Sequence, residues 1–279
     1  MAEVAQDKNE EALELLKRSL AIRLKVHGPD HPDVAASHFE VAIVCSRLEK
    51  FEQALEEYKM CLAIRIKALG PEHTDVAYAY DGMADMYYFL SQYDEALELM
   101  KKSVAIKIKV HGSDHTSVAA SYEPIAHTYY AQGKFEKALA VYQKALDLEL
   151  KVDEPDNVSV ALSYFDMAAV YASQGKHEEA VQLYQKSVDI FLLNLEEEPN
   201  HTLGASAYDG IAGVYARQGK YAGALDLLKK SLAIRIKAHG LDHPHVADSY
   251  DFIAYVYQKM GKHEEALEFE KRAEAIRAK

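Results

Sequence analysis

The chain contains 279 residues, of which 49% are hydrophobic and 27% are charged, and its formal net charge is −12. This balance suits a folded protein with a sizeable core, and the acidic excess argues against nucleic acid as a partner, because phosphate binding needs a basic surface. The polar, acidic start carries no signal segment and no run of residues is long enough to cross a bilayer, so a cytoplasmic protein without membrane attachment is expected.

The first predicted element is a helix over residues 10–27, which follows a polar tail, residues 1–9, expected to be disordered or frayed. Ala12 in this helix starts a series of alanines that recur every 42 residues, apart from one step of 44 between Ala180 and Ala224. The other members are Ala54, Ala96, Ala138 and Ala266. A period in this range is typical of a solenoid, whose units bury their apolar faces on each other. Residues 10–279 are therefore expected to form one continuous domain.

Each unit after the first helix is predicted to hold two helices. Small residues inside apolar stretches lie twelve positions before the alanines, at Ala42, Ala84, Ala126, Ala168, Ala212 and Ala254. Most units separate the two series by a turn such as Gly133-Lys134, because glycine ends a helix by adopting the left-handed conformation without a clash. Apolar residues recur at three- and four-residue spacing on both sides of the turn, and no stretch alternates with a period of two. The sequence therefore predicts an all-α fold with six helix pairs after the first helix.

The loops between units resemble residues 28–33, Gly-Pro-Asp-His-Pro-Asp, whose prolines exclude helix. Asp33 and Asp75 are expected to cap the helices that follow. Histidine pairs recur around these loops at a spacing that could hold a metal, although the repetition of the loop itself explains them: His27/His31, His111/His115 and His239/His243. No metal or cofactor is therefore expected.

No catalytic site is predicted either. The Gly-Lys turns lack the remaining residues of a phosphate-binding loop, and no Ser-His-Asp or Cys-His grouping stands out. Cys45 and Cys61 are too few for a disulfide framework and are expected to be reduced and buried. We therefore expect a protein that is not an enzyme.

The two ends of the array differ. The last helix has Glu270, Glu274 and Ala278 at positions where middle units have apolar residues, which predicts a solvated terminal cap. The first helix keeps apolar residues at those positions, although it has no partner helix before it. Either the chain is a fragment of something longer, or this apolar face meets another chain and forms a homodimer.

The pattern of the two helices and their turn resembles that of tetratricopeptide repeats, at Tyr80, Met83, Ala84, Tyr87, Gly133, Ala138, Tyr142 and Ala145. The 42-residue unit exceeds the usual length of about 34, and together with residues 62–73 it is similar to the kinesin light chain subclass. The resemblance covers residues 10–279. It implies a right-handed superhelical solenoid of antiparallel helix pairs, with a concave groove that is lined by the first helix of each pair and binds protein partners.

Carried over position by position, the resemblance gives this lining for the groove: Tyr78, Asp81, Asp85, Tyr88, Phe89, Glu123, His127, Tyr130, Leu162, Phe165, Asp209, Gly213, Arg217, Asp248, Asp251, Tyr255, Gln258 and Lys259. Acidic and aromatic residues dominate it. They are either solvated helix residues or a site for an extended peptide that contains Lys or Arg. The asparagines of kinesin light chains and the lysine-rich carboxylate clamp of chaperone-binding relatives are missing, so ligands of those types are not expected.

Three further features depart from the repeat or recur within it. Pro124 falls inside a first helix and is expected to kink it; the position either tolerates distortion or frees the Ala120 carbonyl for a ligand. Phe191 and Leu193 replace charged residues, and form either a patch for a partner or residues folded under the longer loop that follows. Basic residues near the ends of second helices, expected to complement the helix dipole, include Arg23, Arg65, Lys107, Arg235 and Arg277.

These observations favour a non-catalytic adaptor or scaffold that binds an extended, basic or aromatic-containing peptide of a protein partner. The alternative is a structural module that assembles with itself through its first helix and the Phe191 region.

Overall fold

The computed structural model describes residues 2–151, 157–193 and 198–278, and the side chains of 8–151, 158–192 and 202–278. Every regular element in these ranges is an α-helix. The helices are α1 (Ala2–His27), α2 (Pro32–Arg47), α3 (Phe51–Leu69), α4 (Thr74–Phe89), α5 (Tyr93–His111), α6 (Thr116–Ala131), α7 (Phe135–Glu149), α8 (Asn157–Ser173), α9 (His177–Leu193), α10 (Glu198–Arg217), α11 (Tyr221–His239), α12 (Pro244–Lys259) and α13 (His263–Arg277). The predicted all-α class is confirmed.

The helices after α1 follow one another as the six predicted pairs, and consecutive helices pack together within each part of the chain. α1 is longer than expected, because it begins at Ala2 rather than at residue 10. The chain divides into two compact units, residues 1–148 and 149–279.

The turns within pairs follow the glycine prediction, with an instructive exception. Gly133, Gly175, Gly219 and Gly261 all have φ between 69° and 74°. In the first two pairs the same position holds Glu49 (φ 57°) and Ser91 (φ 60°). Because a side chain in the left-handed region clashes with the backbone, these two residues carry local strain that glycine avoids.

The loops between pairs are organised by histidine, which corrects the expectation that aspartate caps the next helix. His31 accepts a hydrogen bond at Nδ1 from the backbone N–H of Asp33 (3.2 Å), and His73 does the same with Asp75 (3.1 Å). His115 and His243 cap α6 and α12 in the same way. The histidine ring therefore satisfies a helix N-terminus where a shorter polar side chain usually serves.

The core of the first unit contains both cysteines, as predicted. Cys45 is 1% exposed and Cys61 is fully buried, and both are free thiols. Burial raises the pKa of both thiols, that of Cys61 to about 11, so they remain protonated and unreactive at neutral pH.

Glycines inside two first helices accommodate tyrosines from the preceding helix. A Cβ atom at Gly82 would lie 2.5 Å from the ring of Tyr58, and one at Gly210 would lie 2.6 Å from the ring of Tyr184. Each contact lies within one unit. In the same position of α6 the chain has Pro124, and α6 continues through it as one helix in which Thr128 donates a hydrogen bond to the Pro124 carbonyl (2.7 Å).

Candidate functional site

Two adjacent cavities open between α4, α5 and α6 in the first unit. One, of about 340 Å³, is lined by Tyr78, Asp81, Asp85, Met100, Lys107, Ser117, Ala120, Ser121 and Pro124. The other, of about 250 Å³, is lined by Asp85, Tyr88, Phe89, Met100, Pro124 and His127. Asp85, Met100 and Pro124 belong to both cavities, so they form the ridge between them.

The helical repeat explains why these residues meet. Tyr78, Asp81, Asp85 and Tyr88 are spaced by three or four residues, which places them on one side of α4. Across from them α6 presents small or short side chains, including Ser117 and Ala120, which leave the space open. Of the groove residues predicted from sequence, six line these cavities: Tyr78, Asp81, Asp85, Tyr88, Phe89 and His127.

Asp81, however, is not an open acidic group. The Lys107 ammonium lies 2.8 Å from its carboxylate and donates a second hydrogen bond to Ser121 Oγ at 2.7 Å. Lys107 is only 8% exposed, so the ammonium side of this ion pair is shielded from water, while Asp81 is partly exposed. The charge of Asp81 is therefore already compensated within the chain.

The same arrangement recurs in the second unit. Arg235 lies 2.7 Å from Asp209 and donates to Ser249 Oγ at 2.6 Å. Arg277 lies 2.5 Å from Asp251 and 3.1 Å from Asp248. Their position near helix ends predicts an interaction with the helix dipole, yet the main partners of these basic residues are acids predicted to line the groove.

Asp85 differs from these acids. It makes no hydrogen bond or ion pair with any residue that the structure describes, and its side chain keeps contact with solvent at the cavity mouths. Desolvation by the surrounding walls, and then the charge of Asp81, raise the pKa of Asp85 to about 6, against the opposing effect of Lys107. Asp85 is thus the acidic residue of this site whose charge is still open to a ligand.

Exposed aromatic rings flank Asp85. Tyr78 is 49% exposed and Phe89 is 55% exposed. Phe89 stacks on Phe51 with 5.0 Å between ring centroids, and Tyr88 lies between Phe89 (5.8 Å) and Tyr93 (5.6 Å). These contacts hold Tyr88 and Phe89 in place, while part of the Phe89 ring stays available.

Comparison with known proteins accounts for the architecture. The model of the tetratricopeptide repeat matches residues 1–67, 41–109, 75–149, 117–192 and 204–279. The chain belongs to the tetratricopeptide repeat family. No curated protein matches it in sequence.

Solved structures resemble the chain too. The TPR-like repeats of a candidate kinesin light chain from Podosopora anserina are 28% identical, with a TM-score of 0.62 over 75% of this chain and 98% of that one. BtubC (BKLC) from P. vanneervenii is 19% identical, with a TM-score of 0.52 over 97% of this chain and 91% of that one. Aspartyl phosphate phosphatase F from Bacillus subtilis is 14% identical, with a TM-score of 0.68 over 91% and 73%. The first supports the kinesin-light-chain-like repeat, and the other two support the fold alone.

The predicted groove residues of the second unit of this tetratricopeptide chain are mostly engaged in local contacts. Leu162 and Phe165 are partly buried, and Phe165 packs edge-on against Tyr184 at 5.3 Å. Arg217 donates to the carbonyl of Ala172 (3.1 Å). Gln258 bonds to Glu270, and Lys259 lies 5.3 Å from the centre of the exposed Tyr255 ring.

Two remaining predicted residues in the first unit are the partly exposed Glu123 and Tyr130. Tyr130 is 36% exposed, and its ring lies 5.8 Å from that of Phe135. Both residues sit on α6, beyond the lining of the two cavities.

Of the two alternatives for Phe191, the structure favours a side chain folded into the protein over a patch for a partner. Phe191 is 2% exposed, and a Cβ atom added at Gly204 would lie 3.4 Å from the Cβ atom of Phe191. An aromatic side chain that replaces a charged one is here part of the core of the second unit, and Gly204 of α10 approaches it closely. The side chain of Leu193 lies outside the described residues.

The histidine pairs of this tetratricopeptide chain are stacked. Ring centroids lie 4.5 Å apart for His27/His31, 4.7 Å for His111/His115 and 4.3 Å for His239/His243. Asp33 joins the first pair closely enough to complete a set of three metal-ligating groups. The imidazole planes of each pair are nearly parallel, so their in-plane lone pairs point side by side rather than toward one shared ion. His31 Nδ1 already accepts the cap hydrogen bond, and the arrangement therefore suits helix capping.

No helix in the described part of the chain is long and apolar enough to span a membrane.

Proposed function

We propose that this chain is a non-catalytic adaptor that binds an extended segment of a protein partner across α4 and α6 of its first unit. Proteins with this fold commonly mediate protein–protein interactions. The observation that carries the proposal is Asp85, a carboxylate that forms no ion pair with the described residues and stands between two cavities and beside exposed aromatic rings.

The chemistry of the site favours a peptide with a Lys or Arg residue opposite Asp85. A cation there gains a charge-assisted hydrogen bond to the carboxylate and can approach the faces of Tyr78 or Phe89. An apolar or aromatic neighbour in the peptide would fill the second cavity against Met100 and Pro124. Because Asp81, Asp209 and Asp251 are paired internally, the preference for a basic residue is expected to be centred on Asp85 rather than spread over all first helices.

The setting that suits this role is the cytoplasm, where Cys45 and Cys61 would stay reduced. The proposal includes no nucleic acid, membrane, metal or cofactor.

A peptide array followed by titration in solution tests the proposal. Peptides that differ only in one Lys, Gln or Glu are titrated into the purified chain, at low and high salt. Selection of the Lys peptide, weakened by salt and by Asp85→Asn, is the expected result. Asp226→Asn makes the same chemical change at an exposed carboxylate of α11 and should leave affinity unchanged. Equal binding of the three peptides, or equal loss in both variants, would refute the site.

A further inference from the structure

Helix α1 carries a second apolar face that the rest of the described chain leaves open. Leu15, Ile22 and Val26 are 58%, 63% and 68% exposed. Their spacing of seven and four residues places them along one side of the helix. Leu13 and Leu20, on another side, are 6% and 8% exposed and pack in the core of the first unit.

The same position is buried in the next three second helices and partly buried in the last three. Ile64 of α3, Ile106 of α5 and Leu148 of α7 stand 42-residue steps after Ile22, and they are 5%, 8% and 8% exposed. α3 and α5 each pack against the first helix of their own pair, α2 and α4 respectively. α1 packs on α2, the helix that follows it. The side of α1 that carries Ile22 therefore stays open, although the equivalent residues of α3, α5 and α7 are buried.

The charges of α1 indicate what can cover this side. Among the described side chains, three acids and one base are exposed in its first half: Glu10, Glu11, Glu14 and Lys8. In its second half Lys17, Arg18 and Lys25 are exposed. Two such helices side by side in the same direction would place like charges together. Side by side in opposite directions, the acidic half of each faces the basic half of the other.

We propose that α1 binds the α1 of a second copy of this chain in antiparallel orientation. A two-fold axis near Ser19 sets Leu15 of one copy opposite Ile22 of the other, and Glu11 beside Lys25. Arg18, close to the axis, is paired with Glu14 of its own helix at 3.7 Å. The second α1 then takes the place that a first helix takes against α3 and α5.

Sedimentation equilibrium of the full chain over a wide concentration range tests this. The expected species is a reversible dimer, and Leu15→Glu/Ile22→Glu should raise its dissociation constant by at least about tenfold, since charges would enter an apolar interface. Leu241→Glu, at a side chain that is 60% exposed in the second unit, is the matched control and should not change the dissociation constant. Circular dichroism checks that each variant keeps its helices.

Charge exchange tests the orientation. Glu11→Lys/Glu14→Lys reverses the two acids that face the basic half of the other copy, and Lys17→Glu/Arg18→Glu/Lys25→Glu reverses three bases of that half, so each variant alone should associate more weakly than the original chain. An equimolar mixture of the two variants should recover the dimer. The proposal would be overturned by a chain that stays monomeric at all concentrations, or by a dimer whose dissociation constant does not change with Leu15→Glu/Ile22→Glu. A mixture that does not recover association would overturn it as well, because another occupant or orientation then covers α1.

Discussion

The ammonium group of Lys107 and the carboxylate of Asp81 form an ion pair at 2.8 Å, and Lys107 reaches from this pair to Ser121 on the next helix pair. One side chain thereby ties α4, α5 and α6 together. Since Lys107 is nearly buried, the pair is held in an environment where a lone charge is costly.

Replacing Lys107 by methionine should lower the free energy of unfolding by about 2 kcal/mol, because Asp81 would lose its partner while still partly buried. Urea denaturation measures the change. Lys102→Met, which breaks an exposed pair with Glu98, is the control and should cost less than about 1 kcal/mol. Adding Asp81→Asn to Lys107→Met should recover part of the loss, and a double variant less stable than the single one would contradict this account.

Gly82→Ala should destabilise the first unit by about 2 kcal/mol, because the new methyl group would overlap the Tyr58 ring. Gly213→Ala is the comparison: its nearest neighbour would be Phe252 at 3.6 Å, an ordinary contact, and the better helix former should be neutral or slightly stabilising. Thermal denaturation of both variants gives the result. In a Tyr58→Leu background the cost of Gly82→Ala should largely disappear; an unchanged cost would mean that the ring is not the obstacle.

Ser91→Gly should stabilise the protein by about 1 kcal/mol, since glycine adopts a φ of 60° without the clash that serine meets. Chemical denaturation at one temperature is sufficient to measure it. Gly133→Ala, the reverse change at the equivalent turn, should be destabilising by a similar amount. If both variants shifted stability in the same direction, turn strain would not be the cause.

Affinity for a Lys-containing peptide should rise with pH as Asp85 loses its proton, around a pKa of about 6. The folded pKa lies above the ordinary value of 3.8, so the folded chain holds more protons between these values and the contribution of Asp85 to stability falls as pH rises through that window. Titrations above and below pH 6 test the binding. Asp85→Asn should flatten the dependence, whereas a Gln-containing peptide should show none; a slope that survives Asp85→Asn would assign it to another group.

The repeat itself could be predicted from sequence, because its signals are local. The alanine series and the glycine of Gly133 each act within a turn or two of helix, and the aromatic and acidic cluster around Asp85 follows from the spacing along α4. Long-range partners could not be predicted in this way. Lys107 follows Asp81 by 26 residues, and Arg277 follows Asp251 by the same interval, a repeated signal that becomes meaningful only once the helices are known to touch.

The repeat pattern of the sequence also could not predict which residues are buried or which side chain caps a helix. Charged equivalents of Phe191 suggest a surface position, yet the equivalent Lys107 and Arg235 are themselves only 8% and 9% exposed, so a charged residue type did not indicate exposure here. His31 competes with Asp33 for the same helix end, and only the loop geometry decides between them.

The contact between Tyr58 and Gly82 has a consequence for how such chains can be lengthened or recombined. The two residues belong to successive helix pairs, so a cut placed between pairs separates a bulky side chain from the gap that receives it. A helix pair transplanted alone would bring Tyr58 against whatever residue its new neighbour offers. The unit that can be duplicated without loss of packing is therefore the junction between two pairs, with both of the residues that meet there.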